Sequence, residues 1–236
     1  MRILVHAGFH KTGTSSLQSC AAANADWLSR NLNLLLPGDL RPVAQLARRY
    51  TIRPEQRKLN RMRRELNAVL PPPDKPLFIT SEDLSGLVPG RRPGAGYDEA
   101  PELLRTVVTT LDDRYPQAEI TVWFTTRDED AWMRSIYWQN LRGHRITEDF
   151  DTYRARLTDS LPLADRVEAV RAVGPLSLAL DLLGLPDEGL TPTPPGNVPP
   201  KDGIETLLRL NRSTLDEDRL ARRKRRYLRN QRMGRL

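Results

Sequence analysis

The sequence predicts a three-layer α/β fold in which a mainly parallel sheet is flanked by helices. Three observations carry that prediction. Apolar, strand-like runs at 2–7, 77–80 and 120–124 alternate with stretches of helical periodicity. A loop rich in Gly, Thr and Ser joins the first run to the first helix. The 236-residue chain is 39% hydrophobic and 28% charged, which suits one sizeable buried core and excludes a fibrous or wholly disordered chain.

Taken in order, residues 2–7 read as a short buried strand, and residues 8–16 as the loop. A helix follows to about residue 30, with Leu17, Ala21, Ala25 and Leu28 at helical spacing. Asn33 to Leu36 is a second apolar run, stopped by Pro37-Gly38. A helix is expected over 54–70: Pro54 suits its first turn, and Leu59, Met62, Leu66 and Val69 share one face. Leu77 to Thr80 is a buried strand and 86–96 a Pro/Gly-rich loop. Asp98 is placed to cap a helix with Leu103, Val107, Val108 and Leu111 on its apolar face. Ile120 to Phe124, β-branched and aromatic, is the clearest strand. A helix over about 129–142 turns Trp132, Ile136 and Leu141 inward and stops at Gly143. Further helices are expected at 149–158, 162–172 and 203–211. Residues 176–184 suit strand or helix, and the proline-rich stretch 186–203 is irregular. The expected organisation is one α/β domain, 1–218, followed by a basic C-terminal tail, 219–236.

Charge is concentrated in two places. Residues 219–236 carry +9 and residues 41–65 carry +7, so a total of +7 leaves −9 for the rest of the chain. The tail could touch an anionic surface as a peripheral partner. With Tyr227 its only aromatic residue, it gives no support to base stacking or to a specific nucleic-acid partner. The Arg run at 41–65 is read as the solvated face of an ordinary helix. One cysteine, Cys20, excludes an internal disulfide and is read as buried and inert; three histidines give no zinc pattern, so no metal is expected. No apolar run reaches the roughly 20 residues of a membrane span. Met1 to His6 reads as strand rather than secretion signal, and the expected compartment is a reducing cytoplasm.

The loop Gly8-Phe9-His10-Lys11-Thr12-Gly13-Thr14-Ser15-Ser16-Leu17 occupies the strand-to-helix position where α/β proteins bind phosphate. Its glycines allow close backbone approach, the helix start offers unpaired N–H groups, Lys11 adds a cation and the hydroxyls add donors. It is not a Walker A sequence, because Lys11 precedes Gly13 instead of following it. Downstream, the strand at 120–124 runs into Thr125-Thr126-Arg127-Asp128, and Ser135 follows Arg127 by eight residues. A guanidinium fork and a hydroxyl suit a dianionic phosphate. The structural alternative pairs Arg127 with Asp128 or Asp130.

His10-Lys11-Thr12-Gly13-Thr14-Ser15 resembles the P-K-[ST]-G-T-[ST] loop of sulfotransferases that use 3′-phosphoadenosine 5′-phosphosulfate (PAPS), bacterial members above all, with His10 where Pro is usual. Arg127 and Ser135 resemble the family's R-[ND]-P-x-x-x-x-x-S element, with Glu129 in place of Pro. The resemblance covers residues 1 to about 145. After that only Val173-Gly174, Leu182 to Leu185 and Asn197-Val198-Pro199 are faintly similar, and the R-K-G cofactor loop of cytosolic members is absent. The resemblance implies a P-loop-type fold and metal-free transfer of a sulfuryl group from PAPS to a hydroxyl of a small molecule or glycan. Lys11, Thr12, Gly13, Thr14 and Ser15 would hold the 5′-phosphosulfate, with Lys11 stabilising the leaving phosphate. Arg127 and Ser135 would hold the 3′-phosphate.

Two residues are candidates for the proton acceptor. Glu82 follows the strand at 77–80, at the carboxyl edge of the sheet, where ligands gather. It also resembles the glutamate of heparan-type sulfotransferases. His10 lies in the loop itself and titrates near neutrality. Glu82 could equally cap the turn that follows it. Two other classes compete with this reading. One is a nucleoside-triphosphate-dependent small-molecule kinase, against which the displaced Lys11 argues. The other is a non-enzymatic binder of anionic surfaces that acts through the basic tail.

Overall fold

The computed structural model describes residues 1–91, 96–158, 179, 180, 183, 185 and 202–233. Strands β1 (Arg2–His6), β2 (Asn33–Leu35), β3 (Leu77–Thr80) and β4 (Glu119–Trp123) form one all-parallel sheet in the order β2-β3-β1-β4. β1 is paired on both sides: Ile3 to His6 lie opposite Leu77 to Thr80, and Arg2 to His6 lie opposite Glu119 to Trp123. Its neighbour β3 is buried throughout, which is why both read as near-continuous apolar runs.

Helices cover both faces. α1 (Thr14–Ala23) and α2 (Ala25–Asn31) carry the chain from β1 to β2. They pack Leu17, Cys20, Ala21 and Leu28 on Leu4, Phe78 and Trp123. α3 (Arg41–Ile52) and α4 (Gln56–Val69) return it to β3, and α5 (Ala100–Arg114) leads on to β4. These three pack Leu46, Met62, Leu66, Leu103 and Val107 on Ile3, Val5 and Ile79. Alternate residues of β1 therefore serve alternate cores. The chain leaves β1 over one face and leaves the adjacent β3 over the other. The carboxyl ends of these two strands consequently flank a crevice, the usual ligand position in such sheets.

A third apolar cluster joins α6 (Glu129–Gly143), α7 (Phe150–Thr158) and α8 (Gly203–Asn211) around Trp132, Ile136, Tyr137, Tyr153, Leu157 and Leu207. Residues 219–233 of the basic stretch lie within α9 (Glu217–Met233). Leu220 and Lys224 are buried, and Lys224 Nζ donates to the carbonyls of Leu141 and His144, both at 2.8 Å. It caps the carboxyl end of α6, where unpaired carbonyls and the helix dipole favour a cation.

Several boundaries differ from expectation. The helix expected to run to residue 30 breaks at Asn24, whose side-chain amide donates to the Cys20 carbonyl at 2.8 Å. Residues 41–52 form a helix of their own, with Pro42 in its first turn and Val43, Leu46 and Ala47 buried. Pro54 stands outside α4, which starts at Gln56. Asp98 does not cap α5, which begins after Glu99 without a side-chain cap. The expected helix at 162–172, most of 176–184 and nearly all of 186–203 lie outside the described residues, as do Val173-Gly174 and Asn197 to Pro199. No helix among the described residues is long and apolar enough to cross a membrane.

Candidate functional site

The loop after β1 is braced by the segments that follow its two neighbouring strands. Ala7 and Phe9 donate to the carbonyls of Trp123 and Thr125, and Thr125 donates back to Gly8 at 2.7 Å. From the β3 side, Ser81 donates to the His6 carbonyl and Ser85 Oγ to the Ala7 carbonyl at 2.7 Å. His6 lies beneath this frame, fully buried, with Nδ1 against Thr80 Oγ at 2.9 Å and Nε2 against Thr125 Oγ at 3.2 Å. Burial pushes its pKa down to about 4, so the ring is neutral at pH 7.

The loop then turns sharply into α1. Lys11 has φ 67°, a left-handed conformation costing a non-glycine residue of order 1 kcal/mol. Gly13, at the N-cap, has φ 105°. A Cβ there would meet nothing within 4 Å, so the backbone angle and not crowding calls for glycine. No side chain caps α1. Ser16 N–H donates to the Gly13 carbonyl at 2.9 Å, and the N–H groups of Thr14 and Ser15 stand at the cleft beside Lys11. The hydroxyls of Thr12 and Thr14 both donate to the Phe9 carbonyl, at 2.6 and 3.2 Å, and Thr12 also meets Thr125 Oγ at 2.7 Å. They hold the loop's shape and leave Ser15 and Ser16 as its open hydroxyls.

A cleft of about 300 Å³, at the small end of ligand sites, opens above this loop. His10, Lys11, Gly13, Thr14, Ser15, Glu82, Arg127 and Ser135 all line it. Thr12 does not, being turned into the loop's own hydrogen bonds. The carboxylates that could have claimed Arg127 are engaged elsewhere: Asp128 caps α6 by accepting from Ala131 N–H at 2.9 Å, and Asp130 pairs with Arg154 at 2.7 Å. Lys11 is pushed below its usual pKa, first by burial and then by the charges of Arg142 and Arg127, with Glu82 opposing. Cations crowded in this way favour a bound anion, which relieves both their desolvation and their repulsion.

The other wall is built behind β3. Residues 82–85 form a 3-10 turn that places Glu82 and Asp83 at the cleft. Glu82 caps nothing there; its Oε2 accepts from Gln18 Nε2 of α1 at 2.9 Å. Asp83 pairs with Arg48 at 2.7 Å and meets His10 Nε2 at 3.5 Å. Burial would raise the Asp83 pKa, but the His10 and Arg48 contacts prevail and hold the carboxyl below its usual range. His10 is committed on several sides. Tyr97 Oη lies 3.0 Å from both its N–H and its Nδ1, and Trp132 Nε1 donates to its carbonyl at 2.8 Å. Tyr97 Oη accepts from the backbone and can donate to Nδ1, which leaves Nε2–H directed at Asp83. The usual pKa of Tyr97 is raised by burial, so it acts as a neutral hydroxyl.

Arg48, Asp83, Arg91 and Gln139 also line the cleft, and sequence reasoning missed all four, together with Gln18 and Tyr97 behind them. Asp83 alone carried a sequence signal, as the second acid at the end of a buried strand. No family model, curated protein or solved structure matches the chain.

Proposed function

We propose that the protein is a PAPS-dependent sulfotransferase of P-loop-type fold that acts on a hydroxyl acceptor. One observation carries the reading. Two anion-binding sets chosen from sequence alone, Lys11 to Ser15 after β1 and Arg127 with Ser135 after β4, converge on a single cleft at the carboxyl edge of the sheet. The residues present suit PAPS. Lys11 and the uncapped start of α1 would take the 5′-phosphosulfate, and Arg127 and Ser135 the 3′-phosphate. When bound, PAPS supplies an activated sulfuryl group: the acceptor oxygen bonds to sulfur as the bond to the 5′-phosphate oxygen breaks, releasing adenosine 3′,5′-bisphosphate. Lys11 stabilises the charge that collects on that phosphate. Glu82 takes the hydroxyl proton, because His10 has both ring nitrogens engaged while Glu82 accepts a single side-chain hydrogen bond among the described residues.

The test is ligand-induced thermal stabilisation. Adenosine 3′,5′-bisphosphate at 100 times its Kd should raise Tm by roughly 5–10 °C without Mg²⁺, and Lys11→Ala should remove most of the rise. Stabilisation by ATP with Mg²⁺, and none by the bisphosphate, would place the chain among triphosphate-dependent enzymes instead.

A further inference from the structure

The cleft holds a cation that the proposed cofactor does not use and that makes no ion pair among the described residues. Arg91 lines it from the segment that follows the 3-10 turn behind β3, whereas Arg127 and Ser135 come from the β4–α6 junction. Its Nε is buried without a hydrogen-bond partner, and no carboxylate forms an ion pair with it among the described residues. A buried donor left unpaired is destabilising, the more so when it is charged. Burial pushes the Arg91 pKa down, with the charge of Asp83 opposing and that of Arg48 adding to the effect. The nearby acid Asp83 is already held by Arg48 and His10.

The backbone that delivers Arg91 is fixed in place. The Pro89 carbonyl accepts from Asn140 Nδ2 at 2.7 Å, and the same amide meets Tyr153 Oη at 2.7 Å. Gly90, at φ 73°, lies so close against the Tyr153 hydroxyl that any Cβ would collide with it. The chain just before Arg91 is thus rigidly supported, and the side chain enters the cleft that Glu82 also lines with its Nε donor unspent.

We infer that Arg91 is the anchor of an acceptor subsite and that the acceptor is a hydroxyl compound bearing an anionic group, a carboxylate, phosphate or sulfate. This inference rests on the sulfotransferase reading. It assigns specificity: the anion sits on Arg91 while the hydroxyl approaches Glu82. A neutral acceptor would leave the buried Nε donor unpaired and be rejected on that account.

The test uses inorganic sulfate as probe, added to protein saturated with adenosine 3′,5′-bisphosphate, with chloride at matched ionic strength as control. Wild-type protein should gain further thermal stability from sulfate. Arg91→Ala should weaken apparent sulfate affinity at least ten-fold while keeping the bisphosphate Kd within two-fold, and Arg91→Lys should restore part of it. A sulfate response that survives Arg91→Ala, or its absence in the wild-type complex, overturns the inference alone. So does a ten-fold loss of bisphosphate affinity in Arg91→Ala, which would assign the arginine to the cofactor. Failure of the wild-type protein to bind the bisphosphate overturns the sulfotransferase reading and this inference with it.

Discussion

Where the β1 loop and the β4–α6 junction meet the cleft, Lys11 and Arg127 carry no ion pair among the described residues. Across the cleft, behind β3, the carboxylates are occupied: Asp83 by Arg48 and His10, Glu82 by Gln18. The first wall is a set of donors and cations held by backbone geometry, suited to a highly charged ligand. The second is a chain of polar side chains that can orient a proton, with the Arg91 Nε donor left unpaired among them. The contrast teaches that the net charge of a cleft says less than where its charges are already paired. Of the nine basic residues between 41 and 65, Arg48 alone enters the cleft, while Arg53, Arg57, Arg61 and Arg63 pair with acids away from it.

If the walls divide the work in this way, binding and transfer separate by mutation. Glu82→Gln keeps the shape and removes the proton acceptor, so sulfuryl transfer should fall roughly 10²–10⁴-fold. The Kd for adenosine 3′,5′-bisphosphate, measured by calorimetry, should stay within two-fold. A variant that transfers at the wild-type rate excludes Glu82 as the base; one that loses bisphosphate affinity breaks the division itself.

The first wall was legible in the sequence because its residues are local. Lys11, Gly13 and Thr14 are fixed by a single strand-to-helix turn, and Arg127 and Ser135 by one strand end and two turns of the helix after it. Of the second wall Glu82 was legible, as an acid directly after a buried strand, but its network was not, because those contacts join distant segments. Arg48 meets Asp83 across 35 residues and His10 meets Tyr97 across 87. Helix α3, which supplies Arg48, was obscured by its own arginines: the apolar stripe Val43, Leu46 and Ala47 is short and flanked by Arg41 and Arg48-Arg49. Thr12 shows the opposite failure. Its place in the motif was plain, but whether its hydroxyl faces a ligand or the Phe9 carbonyl depends on how the loop closes.

His6 joins the walls, since its ring bonds to Thr80 at the end of β3 and to Thr125 beyond β4. Its pKa of about 4 in the fold lies below the ordinary 6.5. Above about pH 6.5 the ring is neutral in both the folded and the unfolded chain. Between there and about pH 4 only the unfolded chain takes up the proton, so stability is lost as the pH falls, by at most about 3 kcal/mol. His6→Gln cannot titrate. Its Tm deficit relative to wild type at pH 7 should therefore shrink steadily toward pH 4; a constant deficit would mean that the ring is not held neutral.

The smallest expected effect tests the pairing of the second wall. In Asp83→Asn the amide can still meet His10, but Arg48 and Arg91 then face each other with no acid between them. Both sit in partly solvated positions, so the loss should be about 1–2 kcal/mol, below the 3–5 kcal/mol of a fully buried pair. For a chain of this length that is a Tm decrease of roughly 2–8 °C. The Asp83 carboxyl is held below its usual pKa, so its contribution is present above the ordinary carboxylate range and lost as the pH falls through the folded value. The gap between wild type and Asp83→Asn should accordingly close in acid. Added salt should narrow it at neutral pH, because screening softens the arginine repulsion that the substitution exposes. A gap that ignores both acid and salt would show that Asp83 acts through packing and not through charge, and the second wall would lose the property that distinguishes it from the first.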